Sequence, residues 1–221
     1  MKKSLIAGAA SVALSAMPVV GVFATYTDVT GTAEDTVQLT VEESCTFTPG
    51  TRTATIDLGT MAAGSEFAAT NGVGIGISCN DVDGWTLNAT ATSLRLPASA
   101  TSDAAAAHVI EFGAYPASIP ASGSEKDAVN SVWSAAISID SANADKVTIA
   151  TGWDNYTGAT ASDTTILSSK QVGGSGADAT DVIPVSNMTV TPSYKAYAST
   201  TQAAGTYQGT MTYNFATGTH N

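Results

Sequence analysis

The chain has 221 residues, of which 12% are charged, and its formal net charge is −11 at neutral pH. Nucleic acids and anionic lipid surfaces need a basic footprint on the protein, so this acidic balance excludes both as partners. Threonine, alanine, serine and glycine dominate, and no long 3.6-residue hydrophobic period is present, which is typical of an all-β protein outside the cytoplasm.

Residues 1–24 have the features of a secretory signal peptide. Lys2 and Lys3 precede an apolar run of small residues that ends at Ala24,. The mature protein is therefore expected to begin near Thr25 and to be secreted or displayed at the cell surface. No later stretch is apolar enough to span a membrane, so no span is expected after the signal is removed.

The rest of the chain is long enough for one domain with a substantial core. Residues 25–35 are polar and are expected to form a flexible N-terminal arm, and residues 36–217 are expected to form a β-sandwich domain. The first two strands are predicted over residues 36–46 and 53–58. The inner face of the first strand is marked by Val37, Leu39, Val41, Cys45 and Phe47.

The chain has two cysteines, Cys45 and Cys79, and it is predicted to leave the cytoplasm. A single disulfide between them is the simplest interpretation, because extracytoplasmic compartments favour cystine. Metal ligation is the alternative, but His108 and His220 are the only other soft ligands and neither has a ligand spacing. We therefore predict the disulfide and no metal site.

Residues 73–91 show the clearest strand pattern in the first half of the chain. Apolar residues alternate with small or polar ones on both sides of residues 80–84, which carry turn-forming Asn, Asp and Gly,. We predict two strands joined by a tight hairpin. The apolar phase consists of Val73, Ile75, Ile77, Cys79, Trp85, Leu87, Ala89 and Ala91.

Further strands are expected along the remaining sequence, with residues 61–71 as a connection and residues 152–176 as a long mobile segment,. Pro192 is allowed only at a sheet edge or a bulge. About eight to ten short strands separated by turns predict a two-sheet β-sandwich. The later strands are predicted over residues 109–112, 132–139, 146–150, 188–197 and 206–215.

No catalytic constellation is recognisable. His108 is the only histidine inside the domain, and no nucleophile motif accompanies it,. A glycosidase would need two carboxylates across a cleft, and sequence spacing leaves pairs such as Glu111 and Asp154 open. The protein is predicted not to be an enzyme and to need no cofactor.

A polar segment contains a possible carbohydrate platform. Trp153, Asn155 and Tyr156 combine aromatic rings, on which sugar faces stack, with an amide that bonds sugar hydroxyls,. The alternative is that Trp153 packs beneath its own loop. These three residues are the candidate sugar-binding site, and a carbohydrate-binding module is one functional alternative.

Two short motifs carry a family resemblance. Gly84-Trp85-Thr86-Leu87 is followed near the C-terminus by residues 204–215, Ala-Gly-Thr-Tyr-Gln-Gly-Thr-Met-Thr-Tyr-Asn-Phe. The sequence resembles WxL-type surface domains of Gram-positive bacteria. Trp85 and Leu87 match the first family motif and Tyr207 matches the second, in which Tyr213 and Phe215 stand where Trp and Leu are expected.

The cysteine pair is foreign to WxL domains and is similar instead to bacterial pilins and spore-coat-like sandwich proteins. Both resemblances imply an immunoglobulin-like β-sandwich with a structural or adhesive role at the cell surface. The WxL resemblance implies non-covalent attachment to cell-wall polysaccharide, which the changed second motif does not support. Other surface proteins and self-association are the alternative partners.

A pilus or fimbrial subunit is the second functional alternative. It requires an N-terminal extension with alternating apolar residues that can complete the sheet of a neighbouring subunit. Residues 25–35 offer only Tyr26, Val29 and Ala33 for this purpose. Trp85 and Tyr213 lie on the apolar phase of their strands, so both are predicted to be core residues and not an exposed recognition pair.

Overall fold

The chain divides into two compact units, Met1–Val41 and Glu42–Asn221. In the first unit, the described residues 38–41 have no regular secondary structure, and Leu39 and Val41 are exposed. The second unit contains every strand named below. The structure is a computed structural model, and it describes residues 38–48, 58–96, 106–171 and 182–218.

Eleven strands, a single 3₁₀ turn (Ala106–His108) and a one-turn helix, α1 (Ser124–Asp127), lie in the described parts of the chain. No helix among those residues is long and apolar enough to cross a membrane. The strands are β1 (Cys45–Thr48), β2 (Ser65–Asn71), β3 (Ile75–Cys79), β4 (Trp85–Ala91), β5 (Leu94–Arg95), β6 (Val109–Phe112), β7 (Val132–Ile139), β8 (Val147–Ile149), β9 (Thr164–Ser169), β10 (Val185–Ala198) and β11 (Met211–Thr217).

The strands form two sheets. Sheet A has the order β1-β3-β10-β7-β6-β5, and β2 also pairs with β10. Sheet B has the order β11-β4-β9-β8. All the strand pairs are antiparallel except β6 with β7. The predicted all-β, two-sheet sandwich with one disulfide is confirmed.

The hydrophobic core lies between the sheets and follows the period of two that a strand imposes on its side chains. In β3 and β4 every second residue is buried. The intervening threonines, serine and glycine take the outer faces, as the alternation predicted. The buried residues of these two strands are Ile75, Ile77, Cys79, Trp85, Leu87, Ala89 and Ala91.

The predicted hairpin between these strands is wrong, because β3 lies in sheet A and β4 lies in sheet B. The turn over residues 80–84 therefore carries the chain from one sheet to the other. Asn80 ties this turn to the segment before β1, since its side chain accepts from the Ser44 N–H and donates to the Glu42 carbonyl. Gly84 has φ 82°, a conformation that glycine adopts without steric cost,.

Several predicted boundaries are also wrong. Among the described residues the first strand begins at Cys45, and residues 38–44, which were predicted to belong to it, have no regular secondary structure. Strands β2 and β9 occupy segments that were predicted to be loops, and the strand expected from residue 206 begins at Met211. Most of the predicted strand over residues 53–58, and the whole of residues 1–35, lie outside the described residues.

Pro192 lies in a central strand, contrary to the prediction of an edge or bulge. On one side of β10, pairing with β3 ends at Val190 and pairing with β2 begins at Ser193. Pro192 occupies the gap between these two partners, and its carbonyl accepts from the Gly72 N–H. The missing proline N–H therefore falls where no ladder bond is needed.

Candidate functional site

An open groove runs along one side of the sandwich, between β11 and the inner face of sheet A. Its volume is about 1570 Å³. No Asp, Glu, Lys or Arg is among the described residues that line it. The larger side chains of the lining are Phe47, Leu58, Met61, Ile75, Leu94, Ile110, Trp133, Tyr194, Tyr207, Met211 and Tyr213.

The groove exists because β11 is an edge strand. Among the described residues β11 pairs with β4, and nothing follows it in the order of sheet B. Its apolar residues Met211, Tyr213 and Phe215 are only half-buried, although they point toward the core. An edge strand beside uncovered apolar side chains is a ready template for pairing with another segment.

An aromatic stack joins the two sheets beside the groove, and its member Phe47 lines the groove. The Phe47 ring stacks on the Phe215 ring with centroids 5.5 Å apart and an angle of 11° between the planes. The centroid of the Trp85 ring lies 5.6 Å from that of Phe215, with an angle of 35° between the planes. Since Phe47 belongs to β1 and Phe215 to β11, this stack joins the edge of sheet A to the edge of sheet B.

A tyrosine pair bridges the two sheets along the groove. The hydroxyls of Tyr194, on β10, and Tyr213, on β11, are 3.1 Å apart. Burial raises the pKa of Tyr213 well above its usual value, so its hydroxyl stays protonated at physiological pH,. Gly72 makes room for the pair, because a Cβ at this position would lie 2.7 Å from the Tyr194 ring.

A cluster of hydrogen bonds around Tyr207, here called the latch, holds another part of the groove lining. The Tyr207 hydroxyl lies 2.9 Å from the Ala107 carbonyl and 2.8 Å from the Ala203 carbonyl, and it accepts from Gln202 Nε2 at 2.7 Å. Ser131 donates in turn to the Gln202 side chain. These bonds fix the loop before β11 against the 3₁₀ turn and therefore set the course of the edge strand.

Replacing Tyr207 with phenylalanine is expected to lower the free energy of unfolding by about 1–3 kcal/mol, because the partly buried partners of its hydroxyl lose a hydrogen bond,. Urea denaturation followed by tryptophan fluorescence would measure the change. Thr206→Ala is the matched control, since Thr206 is exposed next to the latch. Equal stabilities for the two variants would show that the latch contributes nothing.

The disulfide secures the strand that carries Phe47. Cys45 and Cys79 are joined, and they are directly opposite each other in the pairing of β1 with β3. β1 has only four residues, and β3 is its only partner among the described strands. The predicted disulfide is thus confirmed, and it supports one wall of the groove.

The family-motif residues take three different positions. Trp85 and Leu87 are completely buried, which confirms that Trp85 is a core residue. Tyr207 forms the latch. Tyr213 and Phe215 are half-buried. The prediction that Tyr213 is a core residue is therefore wrong in part, because its ring lines the groove.

The structure does not assemble the candidate sugar platform into an open surface. Trp153 is 1% exposed and packs in the core near Phe112. Asn155 is exposed, but its side chain accepts from the Thr157 N–H and hydroxyl. Tyr156 is half-buried, and its hydroxyl donates to Ser193. A sugar ring therefore has no access to the Trp153 indole in this conformation.

Sequence reasoning missed two parts of the groove, the wall formed by residues 58–63 and the tyrosine bridge to Tyr194. The position of this wall depends on the fold, and Tyr194 carries no motif. Within the described residues, no three His, Cys, Asp or Glu side chains are grouped so that they could hold a metal ion.

The sequence matches no family model, no curated protein and no solved structure.

Proposed function

We propose that this protein is a secreted structural or adhesive protein of the bacterial cell surface, and that it binds an extended segment of another protein chain in its groove. The carrying observation is the uncharged groove beside the edge strand β11, which is lined by aromatic, aliphatic and uncharged polar side chains. The signal-like sequence of residues 1–24 supports secretion,. Among the functions considered, a subunit of a surface filament fits this geometry best.

The size and chemistry of the groove favour a peptide segment over a small molecule. Pockets for small ligands are usually about 300–1000 Å³ and contain a few convergent polar groups. The groove is larger, at about 1570 Å³, and its lining includes the first four residues of the edge strand, Met211–Asn214. A segment that added to β11 would gain main-chain hydrogen bonds and could place alternate side chains in the groove.

Direct attachment to wall polysaccharide has less support. Trp85 and Leu87, which carry the WxL resemblance, have no exposed surface with which to contact a wall polymer. The buried Trp153 gives equally little support to a carbohydrate-binding module. Among the described residues, the groove is the large open surface that suggests a binding mode.

Met211→Glu tests the proposed function, because it places a charge on the half-buried inner face of β11. Isolated cell envelopes would be incubated with the purified protein, and the protein that pellets with them would be measured together with its size in solution. We expect the variant to lose at least about tenfold in both association with envelopes and self-association, since an unpaired charge in an apolar contact is costly.

Thr148→Glu is the control, because it adds the same charge at an exposed position of β8, on the opposite edge of sheet B. Circular dichroism and thermal melting of both variants would verify that each is folded. If both variants are monomeric and pellet with the envelopes to the same extent, the groove proposal is contradicted and direct wall attachment is favoured. Release of sugar fragments from the envelopes would indicate an enzyme.

A further inference from the structure

We propose that Asn71 is a site of spontaneous modification, at which the side-chain amide is lost and aspartate and isoaspartate are formed. The pairing of β2 with β10 controls how fast this happens. Asn71 is one of nine asparagines in the chain, and it is the only one that a glycine follows. The inference concerns the link between β2 and β3 and does not depend on what the groove binds.

The reaction needs no enzyme, and its co-reactant is water. The main-chain nitrogen of Gly72 loses its proton to hydroxide and attacks Cγ of Asn71, so that a C–N bond forms while the side-chain amide leaves as ammonia. Water then opens the resulting five-membered succinimide at one of its two carbonyls, which gives aspartate or isoaspartate. Glycine favours the first step, because the absence of a Cβ leaves the nitrogen unshielded and the backbone free to turn.

The fold requires a glycine at position 72. A Cβ on this residue would lie 2.7 Å from the ring of Tyr194, closer than real Cβ contacts. That ring belongs to the tyrosine pair whose other member is Tyr213. Asn71 is exposed at the last position of β2, so water reaches its side chain. The labile dipeptide therefore combines a glycine that packing demands with an asparagine that is open to solvent.

The folded strand protects this dipeptide. The Gly72 N–H donates to the Pro192 carbonyl at 2.8 Å, and this bond must break before the nitrogen can attack. Asn71 lies opposite Ser193 in the pairing of β2 with β10, and the extended backbone of a strand turns the next nitrogen away from Cγ. Modification therefore requires the end of β2 to separate from β10, and strand ends separate at a lower free energy than the whole protein unfolds.

Isoaspartate changes the length of the main chain, because the chain then runs through Cβ and Cγ and gains one atom. β2 ends at Asn71 and β3 begins at Ile75, and both strands pair with the same side of β10. The link between them is thus held at both ends, and an added atom must displace Gly72. The space beside Gly72 is filled by the Tyr194 ring, so we expect the hydrogen bond of the tyrosine pair to weaken.

Incubating the purified protein in mildly alkaline buffer, with and without denaturing urea, tests the assignment. Peptide mapping by mass spectrometry would detect a gain of about 1 Da at Asn71, and protein isoaspartate methyltransferase would label the isoaspartate product. We expect conversion at Asn71 to be at least about tenfold faster in urea than in the folded protein. Asn71→Gln should remove the signal from this peptide, because glutamine forms its cyclic intermediate slowly.

Two results of this incubation would overturn the proposal. Equal rates in the folded and unfolded protein would show that β2 does not control the reaction. Conversion that occurs first at Asn130, which is exposed and precedes Ser131, would show that another asparagine is the labile site. Both results come from the wild-type chain and do not depend on the folding of any variant.

Phe67→Ala tests whether local opening of β2 is sufficient, and Ile149→Ala is the matched control. Both side chains are half-buried and pack against the core, but Phe67 lies on β2 whereas Ile149 lies on β8. Without urea, we expect Phe67→Ala to accelerate conversion at Asn71 at least about tenfold, because it loosens β2. Ile149→Ala should convert like the wild type. Equal rates for the two variants, each verified as folded by circular dichroism, would overturn control by β2.

The products can be compared after chromatographic separation. Asn71→Asp reproduces the aspartate product, which has an unchanged main chain and one more charge at an exposed position. We expect this variant to unfold at the same urea concentration as the wild type, since surface substitutions usually change stability little. The isoaspartate form should unfold at a lower urea concentration. Equal unfolding midpoints for all three forms would overturn the effect on the tyrosine pair.

Discussion

Replacing Trp85 with alanine is expected to lower the free energy of unfolding by about 3–5 kcal/mol, the usual cost of truncating a buried aromatic residue. The Trp85 side chain is completely buried between the sheets. Its ring lies against Phe215, which stacks in turn on Phe47. The substitution would leave a cavity beneath the aromatic stack, and urea denaturation of the purified protein would measure the loss.

Val82→Ala is the control for this experiment, because Val82 is 46% exposed in the turn that precedes Trp85. A change within about 0.5 kcal/mol is expected there, as for most surface substitutions. If Trp85→Ala instead kept its unfolding midpoint but lost its association with cell envelopes, Trp85 would be a recognition residue, contrary to its burial.

Removing the disulfide is the second change with a large expected effect. The double variant Cys45→Ala/Cys79→Ala should lose about 3–4 kcal/mol of stability, because the bond closes a long loop in the unfolded chain. The two cysteines are 34 positions apart in sequence. Because β1 has only four residues, its release would also remove Phe47 from the groove wall, so self-association should weaken together with stability.

Two measurements check this prediction. Denaturant unfolding of the oxidised protein, the reduced protein and the double variant would compare stabilities, and the reduced protein should resemble the variant. Sedimentation velocity in mild reductant would follow self-association. A native disulfide usually contributes more than about 1 kcal/mol to stability. If the three forms differ by less than about 1 kcal/mol, the pairing of β1 with β3 is sufficient to hold β1, and the prediction is wrong.

Local alternation in the sequence determined much of the core. The apolar phase of residues 73–91 predicted the buried side chains of β3 and β4, because successive residues of a strand point to opposite faces whatever its neighbours are. Its first member, Val73, was predicted wrongly, since it lies before β3 and is 44% exposed. The cysteine pair and its disulfide also followed from composition and the expected compartment,. The first inference depends on the geometry of neighbouring residues and the second on the chemistry of cysteine, and both can be read from a single sequence.

The choice of strand partners did not follow from the sequence. A turn rich in Asn, Asp and Gly suits a hairpin and a crossing between sheets equally well, and the structure places β3 and β4 in different sheets,. Likewise, β2 has one large apolar residue, Phe67, and it is a strand because β10 offers it an edge. Pairing over such distances is decided by the whole set of contacts, as is usual for strands.

The candidate site shows the same division. The sequence determined that Met211, Tyr213 and Phe215 share one face of a strand, and that residues 36–41 have a strand pattern. Only the tertiary structure decided that β11 lies at a sheet edge with its apolar face half covered, and that Leu39 and Val41 are exposed. Alternation specifies which side chains avoid water, whereas the surface that covers them depends on how distant strands are arranged.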